Sequence, residues 1–176
     1  KSVMGLEMEQ EYIELGKALA SRENVPLPKI LQGSVEEVDL HIPDDSFDLV
    51  FCRLVLAYTD IKMTMRKISN ILRPKGIVWI NTESFMYAIQ CLLNAFKKRE
   101  RLASIGSWIF TVLNSIVFMA TGIQMKVKVQ GRMHKEHKSA YPTLRFWKSA
   151  CAAAGLKDFH LVRVYRGGYI FWVRKE

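Results

Sequence analysis

The sequence predicts an α/β fold in which helices cover a mostly parallel sheet. Strand-like and helix-like segments alternate over the first 85 residues, a pattern typical of βαβ units. Two apolar runs, at residues 47–56 and 76–82, are typical of parallel strands that are buried on both faces. The length of 176 residues favours one domain with its own hydrophobic core.

The first elements follow from apolar spacing and from chain breakers. Residues 2–8 predict a strand, and residues 9–23 have the apolar spacing of a helix. Pro26 ends that helix. Residues 29–35 predict a second strand, and Gly33 weakens the strand pattern near its end. A polar, turn-rich segment leads from this strand into the first apolar run.

The centre of the chain has a clear helix between its two apolar runs. Asp60 can cap a helix over residues 61–72, in which the apolar positions share one face. Pro74 and Gly76 end that helix. The strand at residues 76–82 follows directly, which completes the strand–helix–strand pattern.

The second half is less regular. Residues 85–101 predict a helix that ends in a basic run, and residues 102–125 contain no charged side chain. Residues 126–138 are basic and predict a loop, or a strand with a loop. A helix over 142–154 ends at Gly155. Two strands joined at a glycine pair follow, over residues 156–164 and 169–173.

The charge of the chain is unevenly distributed. Residues 1–88 carry 10 basic and 13 acidic side chains, whereas residues 89–176 carry 16 basic and 4 acidic ones. A net charge of +9 suggests an anionic partner such as nucleic acid, a membrane surface or an acidic substrate. The alternative is a basic surface that is simply solvated.

The cysteines favour a protein with reduced thiols. Cys52, Cys91 and Cys151 are far apart and lie in apolar surroundings. Their spacing does not match a zinc site. We therefore expect buried thiols in a cytoplasmic protein and no bound metal.

The motifs of residues 42–83 come in a specific order. They are Ile-Pro-Asp-Asp-Ser-Phe-Asp-Leu-Val, then Tyr-Thr-Asp, then Leu-Arg-Pro-Lys-Gly-Ile-Val-Trp-Ile. This order resembles the class I S-adenosylmethionine-dependent methyltransferases of the small-molecule type. The helix that ends at Gly155 and the two strands after it resemble the end of the same family.

The resemblance implies a Rossmann-like three-layer sandwich with a mostly parallel, seven-stranded sheet and an antiparallel last strand. One domain would span residues 1–176, with an apolar and basic insertion at about 86–141. The family's first strand and its Gly-rich turn are missing from this chain, and we expect them upstream of Lys1. Lys75 replaces the glycine that the family has in its Arg-Pro-Gly-Gly turn.

The resemblance also implies a cofactor site for S-adenosylmethionine. In open α/β sheets, ligands bind at the carboxyl ends of the strands. Glu7 would bind the ribose hydroxyls and Met8 would pack on the adenine, although Glu7 could instead be an ordinary acid at a helix start. The segments expected to contact the rest of the cofactor are Gly33, Ser34 and Val35, and Cys52, Arg53 and Leu54.

On the acceptor side, the residues expected to bind substrate are Tyr58, Glu83, His134, His137 and Tyr141. Of these, Glu83, Tyr141 and the two histidines are candidate bases, with ordinary surface or packing roles as the alternative. Positioning supplies much of the rate of methyl transfer, and a base is needed only if the acceptor keeps its proton.

The uncharged run at residues 102–125 is long enough to span a membrane. The expected topology argues against a span, because parts of one sheet precede and follow it. Three interpretations remain: a helical insertion packed on the core, an apolar lid over the acceptor, and peripheral contact with an anionic membrane. The last two favour a hydrophobic acceptor.

We therefore predict a methyltransferase that acts on a small hydrophobic molecule. A non-catalytic binding protein of the same fold is the first alternative. An RNA or DNA methyltransferase is the second, but the sequence does not show the interleaved aromatic residues expected of a base-stacking surface. A nicotinamide dehydrogenase would leave the Pro-Asp-Asp-Ser-Phe-Asp segment without a role.

Overall fold

In the computed structural model the described part of the chain folds into an α/β structure with two main hydrogen-bonded sheets and a third, short antiparallel pair. The structure describes residues 2–40, 42–125, 127–128, 136–137, 139–165 and 167–176. The first sheet is a parallel pair, β1 (Met4–Glu7) and β2 (Lys29–Gln32), joined by helix α1 (Gln10–Arg22). These elements confirm the predicted strand–helix–strand start of the chain.

The second sheet has four strands in the order β3-β4-β8-β7. They are β3 (Phe47–Arg53), β4 (Leu72–Glu83), β7 (Leu156–Tyr165) and β8 (Gly168–Lys175). Strands β3 and β4 are parallel, while β8 is antiparallel to both of its neighbours. The prediction of an antiparallel last strand is therefore confirmed.

The two sheets are joined by apolar packing, since the hydrogen-bonded strand order in the described residues breaks between them. Buried Ile42 and Ile71 pack with Leu6 and Leu31 of the first sheet and with Phe47 of the second. One continuous sheet was expected for these strands. The described part of the chain instead forms a two-stranded and a four-stranded sheet that share this apolar contact.

The main core lies on one face of the larger sheet. Helix α2 (Ile61–Ile71) and helix α5 (Leu144–Ala153) bury their apolar sides there. Trp147 of α5 packs against Phe171 of β8, with ring centroids 5.8 Å apart. As predicted, the carboxylate of Asp60 caps α2, accepting the Met63 N–H at 3.1 Å.

The opposite face of β3 is open to solvent, which corrects the prediction of a strand buried on both faces. Within β3 only Cys52 is buried, whereas Leu49 is 58% and Phe51 61% exposed. Strand β3 is an edge strand in the described sheet. A continuous apolar run shows that a strand is apolar, but burial also needs elements that pack on each face.

Strand β4 begins before the predicted strand, at Leu72, where a helix end and a turn were expected. Lys75 adopts a left-handed conformation with φ of 66°. This backbone suits glycine, which explains why the family has glycine at this turn. Gly76 follows, and a Cβ there would lie 2.8 Å from the Arg73 carbonyl oxygen.

Two packed helices follow β4: α3 (Phe85–Lys97) and α4 (Leu102–Thr121). The predicted helix over 85–101 ends early, because residues 98–101 form the connection to α4. Helix α4 confirms that the uncharged run is helical. By length and composition it is the one helix of the described chain that could cross a membrane, and 22% of its most apolar window is buried.

The remaining elements link α4 to the last helix and strands. Strands β5 (Val127–Lys128) and β6 (Glu136–His137) form a short antiparallel pair within the predicted basic segment. Helix α5 ends at Ala153, and Gly155 follows with a left-handed φ of 77°. This glycine ends the helix as predicted.

Candidate functional site

The carboxyl ends of β1 and β2 bring two predicted cofactor segments together. The Gly33 N–H donates to the Glu7 carbonyl oxygen at 3.0 Å. Oε1 of Glu7 accepts the backbone N–H groups of Met8 at 2.8 Å and Glu9 at 3.0 Å. The carboxylate thus sits at the start of α1, where the helix dipole favours an anion. A carboxylate can still accept hydrogen bonds at its second oxygen.

The residues that follow β2 turn away from the strand. The Ser34 hydroxyl oxygen accepts the Glu36 N–H at 3.1 Å, so its own proton is available for a ligand. Val35 is half-buried and packs against the main core, while Met8 is exposed. The adenine and ribose roles of these residues stay predictions.

The third predicted segment lies at the end of β3. Cys52 is buried in the main core, and burial raises the pKa of its thiol to about 12. Its side chain therefore faces away from the open edge, and only its backbone is suited to a cofactor. Arg53 is exposed, and Leu54 has a left-handed φ of 56°. The Leu54 N–H donates to the Asn81 carbonyl oxygen at 2.8 Å.

The predicted acceptor residues that the structure describes form one aromatic cluster. The Tyr141 hydroxyl donates to the Tyr58 hydroxyl oxygen at 2.9 Å. Tyr141 also makes edge-to-face contacts with Tyr58 and Tyr87, with ring centroids 6.2 and 6.1 Å apart. Tyr87 makes a similar contact with Trp108 of α4. Residues from a turn, two helices and a loop thus meet beside the end of β4.

Glu83 is the last residue of β4 and is the acid of this cluster. Its Oε2 atom is buried and has no hydrogen-bond partner among the described residues. Burial raises the pKa of the Glu83 carboxyl above its ordinary value of 4.5, and a backbone hydrogen bond of the same residue opposes the rise. A buried carboxylate oxygen without a partner is costly. The raised pKa makes the Glu83 carboxylate a stronger proton acceptor than an ordinary exposed glutamate.

Burial, hydrogen-bond partners and the charge of Glu83 raise the pKa values of the tyrosines around it. A hydrogen bond to Cys91 is the main cause that raises the pKa of Tyr87 to about 12. Burial, followed by the hydrogen bond to Tyr58, raises the pKa of Tyr141. Burial and the charge of Glu83 raise the pKa of Tyr165. These phenols therefore keep their protons at neutral pH and act as hydrogen-bond donors.

An open cavity of about 390 Å³ lies beside the end of β4. It is lined by Leu54, Asn81, Arg163, Tyr165 and Ile170. The Tyr165 hydroxyl donates to Oδ1 of Asn81 at 2.8 Å. The cavity thus extends from Leu54, after β3, to Tyr165, whose pKa responds to the charge of Glu83.

Sequence reasoning missed Tyr87, Tyr165 and Asn81. Asn81 lies two residues before Glu83 on the same face of β4, and this spacing was a usable signal for it. Tyr87 lies in α3, across the strand-to-helix turn from Glu83, so strand spacing gave no signal for it. His134 lies outside the described residues, and His137 lies in β6, where its side chain is not described. Their predicted roles stay predictions.

The strand order and the antiparallel last strand define the fold. The chain has the Rossmann-like fold of class I S-adenosylmethionine-dependent methyltransferases, as the resemblance predicted. Residues 1–80 match the family model described as "Methyltransferase domain".

One curated relative is similar over part of the chain. Over 74 residues, the chain is 28% identical to the "Uncharacterized methyltransferase YcgJ" of Bacillus subtilis (strain 168). The matched segment spans 42% of this chain and 28% of that relative.

Solved structures extend the likeness to nearly the whole chain. The crystal structure of YcgJ protein from Bacillus subtilis has a TM-score of 0.63 at 13% identity, covering 99% of this chain and 82% of that chain. A SAM-dependent methyltransferase from Methanosarcina mazei has a TM-score of 0.60 at 12% identity, with the same two coverages of 99% and 82%. At such identities the likeness concerns the fold.

Proposed function

We propose that this protein is an S-adenosylmethionine-dependent methyltransferase that acts on a small hydrophobic molecule. The fold and the match of residues 1–80 to a methyltransferase domain support the class of activity. The observation that carries the acceptor site is the buried, unpartnered Oε2 of Glu83 among tyrosines at the end of β4.

The residues at the carboxyl edge fit the cofactor. A carboxylate at Glu7 suits ribose hydroxyls, because it can accept a hydrogen bond from each of them. Gly33 is hydrogen-bonded beside it, and the hydroxyl of Ser34 has a proton to donate. The backbone at Cys52, Arg53 and Leu54 would hold the methionine part. When bound, S-adenosylmethionine supplies a methyl group on a sulfonium sulfur.

The aromatic cluster suits an apolar acceptor with one polar group. Tyr58, Tyr87 and Trp108 give it aromatic walls, and Tyr58 is half exposed. A hydroxyl or amine of the acceptor would donate to the Glu83 carboxylate. Glu83 would take the proton of that group as the group bonds to the methyl carbon and the carbon–sulfur bond breaks, which leaves a neutral thioether. The raised pKa of the Glu83 carboxyl makes it a better base than an exposed glutamate at neutral pH.

Cofactor binding is tested by isothermal titration with S-adenosylmethionine. We expect saturable binding below about 1 mM, the upper end of ordinary Michaelis constants. Glu7→Gln should weaken it about tenfold or more, because hydrogen bonds to a charged group are lost. The matched control is Glu11→Gln, an exposed acid in the first turn of α1. The titration uses the longer natural chain, in which the Gly-rich turn is expected, and absence of binding to it at millimolar cofactor would refute the proposed enzyme activity.

The proposed acceptor class is tested by measuring transfer of a labelled methyl group to a panel of apolar phenols and amines. We expect a labelled product that extracts into organic solvent, and a loss of about a hundredfold in Glu83→Gln with unchanged cofactor binding. Binding without transfer to any acceptor would favour the non-catalytic alternative. Transfer to RNA or DNA, with an affinity that falls steeply with salt, would favour a nucleic acid enzyme.

A further inference from the structure

Helix α4 turns its polar side chains towards the protein. Its buried residues are Thr111, Asn114, Ser115 and Phe118, so three of the four are polar. Asn114 donates to the carbonyl oxygens of Met125 and Ser139, both at 3.1 Å. The Ser115 hydroxyl oxygen accepts the Tyr141 N–H at 2.9 Å. A surface helix of a globular protein has the opposite arrangement.

The outward face of α4 is apolar. Ile109, Leu113 and Ile116 are all exposed, and their spacing places them in one stripe. Leu102, at the start of the helix, is 87% exposed. The helix contains no charged residue at all. The described part of the protein therefore leaves this stripe uncovered.

Helix α3 packs against α4 and adds to the uncovered apolar surface. Met86, Leu93 and Phe96 are exposed, and their spacing also gives one stripe. The two helices contact each other through Tyr87 and Trp108, among other residues. Contiguous apolar surfaces on monomeric proteins commonly mark binding sites for proteins or membranes.

The charge at the connection between α3 and α4 decides between those partners. Lys97, Lys98, Arg99 and Arg101 are exposed there, with Glu100 as the single acid of the run. An apolar helix face with cations at its end is the arrangement that binds anionic bilayers. A second copy would bring the same cations to a two-fold interface, where like charges repel.

We propose that the outer face of α3 and α4, called the docking face, binds peripherally to an anionic lipid bilayer. Leu113 and Ile116 enter the boundary between headgroups and acyl chains, and the cations at 97–101 contact lipid phosphates. The helix does not span, because β4 before it and β8 after it are neighbours in one sheet. The same helices carry Tyr87 and Trp108 of the aromatic cluster, so docking brings the cluster to the bilayer.

The test is flotation of the whole protein with phosphatidylcholine vesicles, with and without about one third phosphatidylserine. Binding should be stronger to the anionic vesicles and should weaken as salt screens the charges. The double variant L113E/I116E should bind at least about tenfold more weakly, because two apolar side chains leave the bilayer. The variant K97Q/K98Q should lose about fivefold per residue of the preference for anionic vesicles.

The matched control is L15E/L19E, which adds the same two negative charges at exposed leucines of α1. It should keep the vesicle affinity of the unaltered protein within about twofold. Equal losses in both double variants, or no loss in L113E/I116E, would overturn the proposal. Self-association in solution that L113E/I116E abolishes, without vesicle binding by the unaltered protein, would make the docking face an interface between copies. None of these outcomes depends on the proposed methyl transfer.

Discussion

The hydroxyl of Tyr141 donates a hydrogen bond to the hydroxyl oxygen of Tyr58, 2.9 Å away and 83 residues apart in the chain. Tyr141 is buried, whereas Tyr58 is half exposed at the edge of the aromatic cluster. The bond joins the turn after β3 to the segment before α5. It therefore links two distant segments of the chain, of which Tyr141 lies close enough to Glu83 for the carboxylate charge to raise its pKa.

The two tyrosines should be coupled in stability. Tyr141→Phe removes the donor and should lower the free energy of unfolding by about 1 kcal/mol. Tyr58→Phe leaves the Tyr141 hydroxyl without its acceptor and should cost as much or more, about 1–3 kcal/mol. Urea denaturation of both variants and of the double variant measures the coupling. Strictly additive losses would show that the bond contributes nothing.

Glu83 should make stability depend on pH. Burial raises the folded-state pKa of its carboxyl above the ordinary value of 4.5. At pH values between the ordinary pKa and the raised pKa, the native state therefore holds more protons than the unfolded state. Stability contributed by this group is thus lost as pH rises through that window. Glu83→Gln should melt at a higher temperature than the unaltered protein at neutral pH, with the difference vanishing below about pH 4.

Thermal melts from acidic to neutral pH measure this effect, and Glu11→Gln is the control. Glu11 lies in the exposed first turn of α1. A Glu83→Gln protein that melts at the same or a lower temperature at neutral pH would show that the carboxylate is stabilised there.

Substitutions at two adjacent residues of β4 should change the stability of the protein in opposite directions. Lys75→Gly relieves a left-handed backbone and should stabilise the protein by about 0.5–1 kcal/mol. Gly76→Ala places a Cβ 2.8 Å from the Arg73 carbonyl oxygen and 3.1 Å from that of Phe47. It should destabilise by about 1–3 kcal/mol. Chemical denaturation gives both values, and two changes of equal sign would contradict this account of the turn.

Asn114 should be essential for holding α4 in place. Its side chain accepts the Met125 N–H at 2.7 Å and donates to two carbonyl oxygens. Asn114→Ala should cost about 3 kcal/mol, because three hydrogen bonds are lost and buried backbone groups remain. Thr121→Ala, at the exposed end of the same helix, is the control. Equal unfolding midpoints for the two variants would contradict the role of Asn114.

The strands and their carboxyl ends show how much of the fold local sequence predicts. Alternating apolar segments correctly predicted β1, β2, β3 and β4, and the order of motifs predicted the fold class. Glu7 and Gly33 were each expected at the carboxyl end of a strand as cofactor contacts, and in the structure the Gly33 N–H donates to the Glu7 carbonyl oxygen. The burial of β3 was not predictable in the same way, because it depends on what packs against each face.

The aromatic cluster shows where sequence reasoning stops. Tyr58, Glu83 and Tyr141 were candidates one by one, but nothing local shows that Tyr141 contacts Tyr58. Tyr165 was not a candidate, because its hydrogen bond to Asn81 spans 84 residues. Such long-range contacts follow from how β8 and β7 return to the sheet.

The sequence by itself determined the order of strands and helices, the fold class, and the apolar character of residues 102–125. These properties depend on local spacing, caps and turns, which can be read along the chain. Only the tertiary structure decided that Glu83 is buried without a partner and that α4 turns Asn114 inwards and Leu113 outwards. Burial and exposure depend on which distant surfaces meet, and that is a property of the packed molecule.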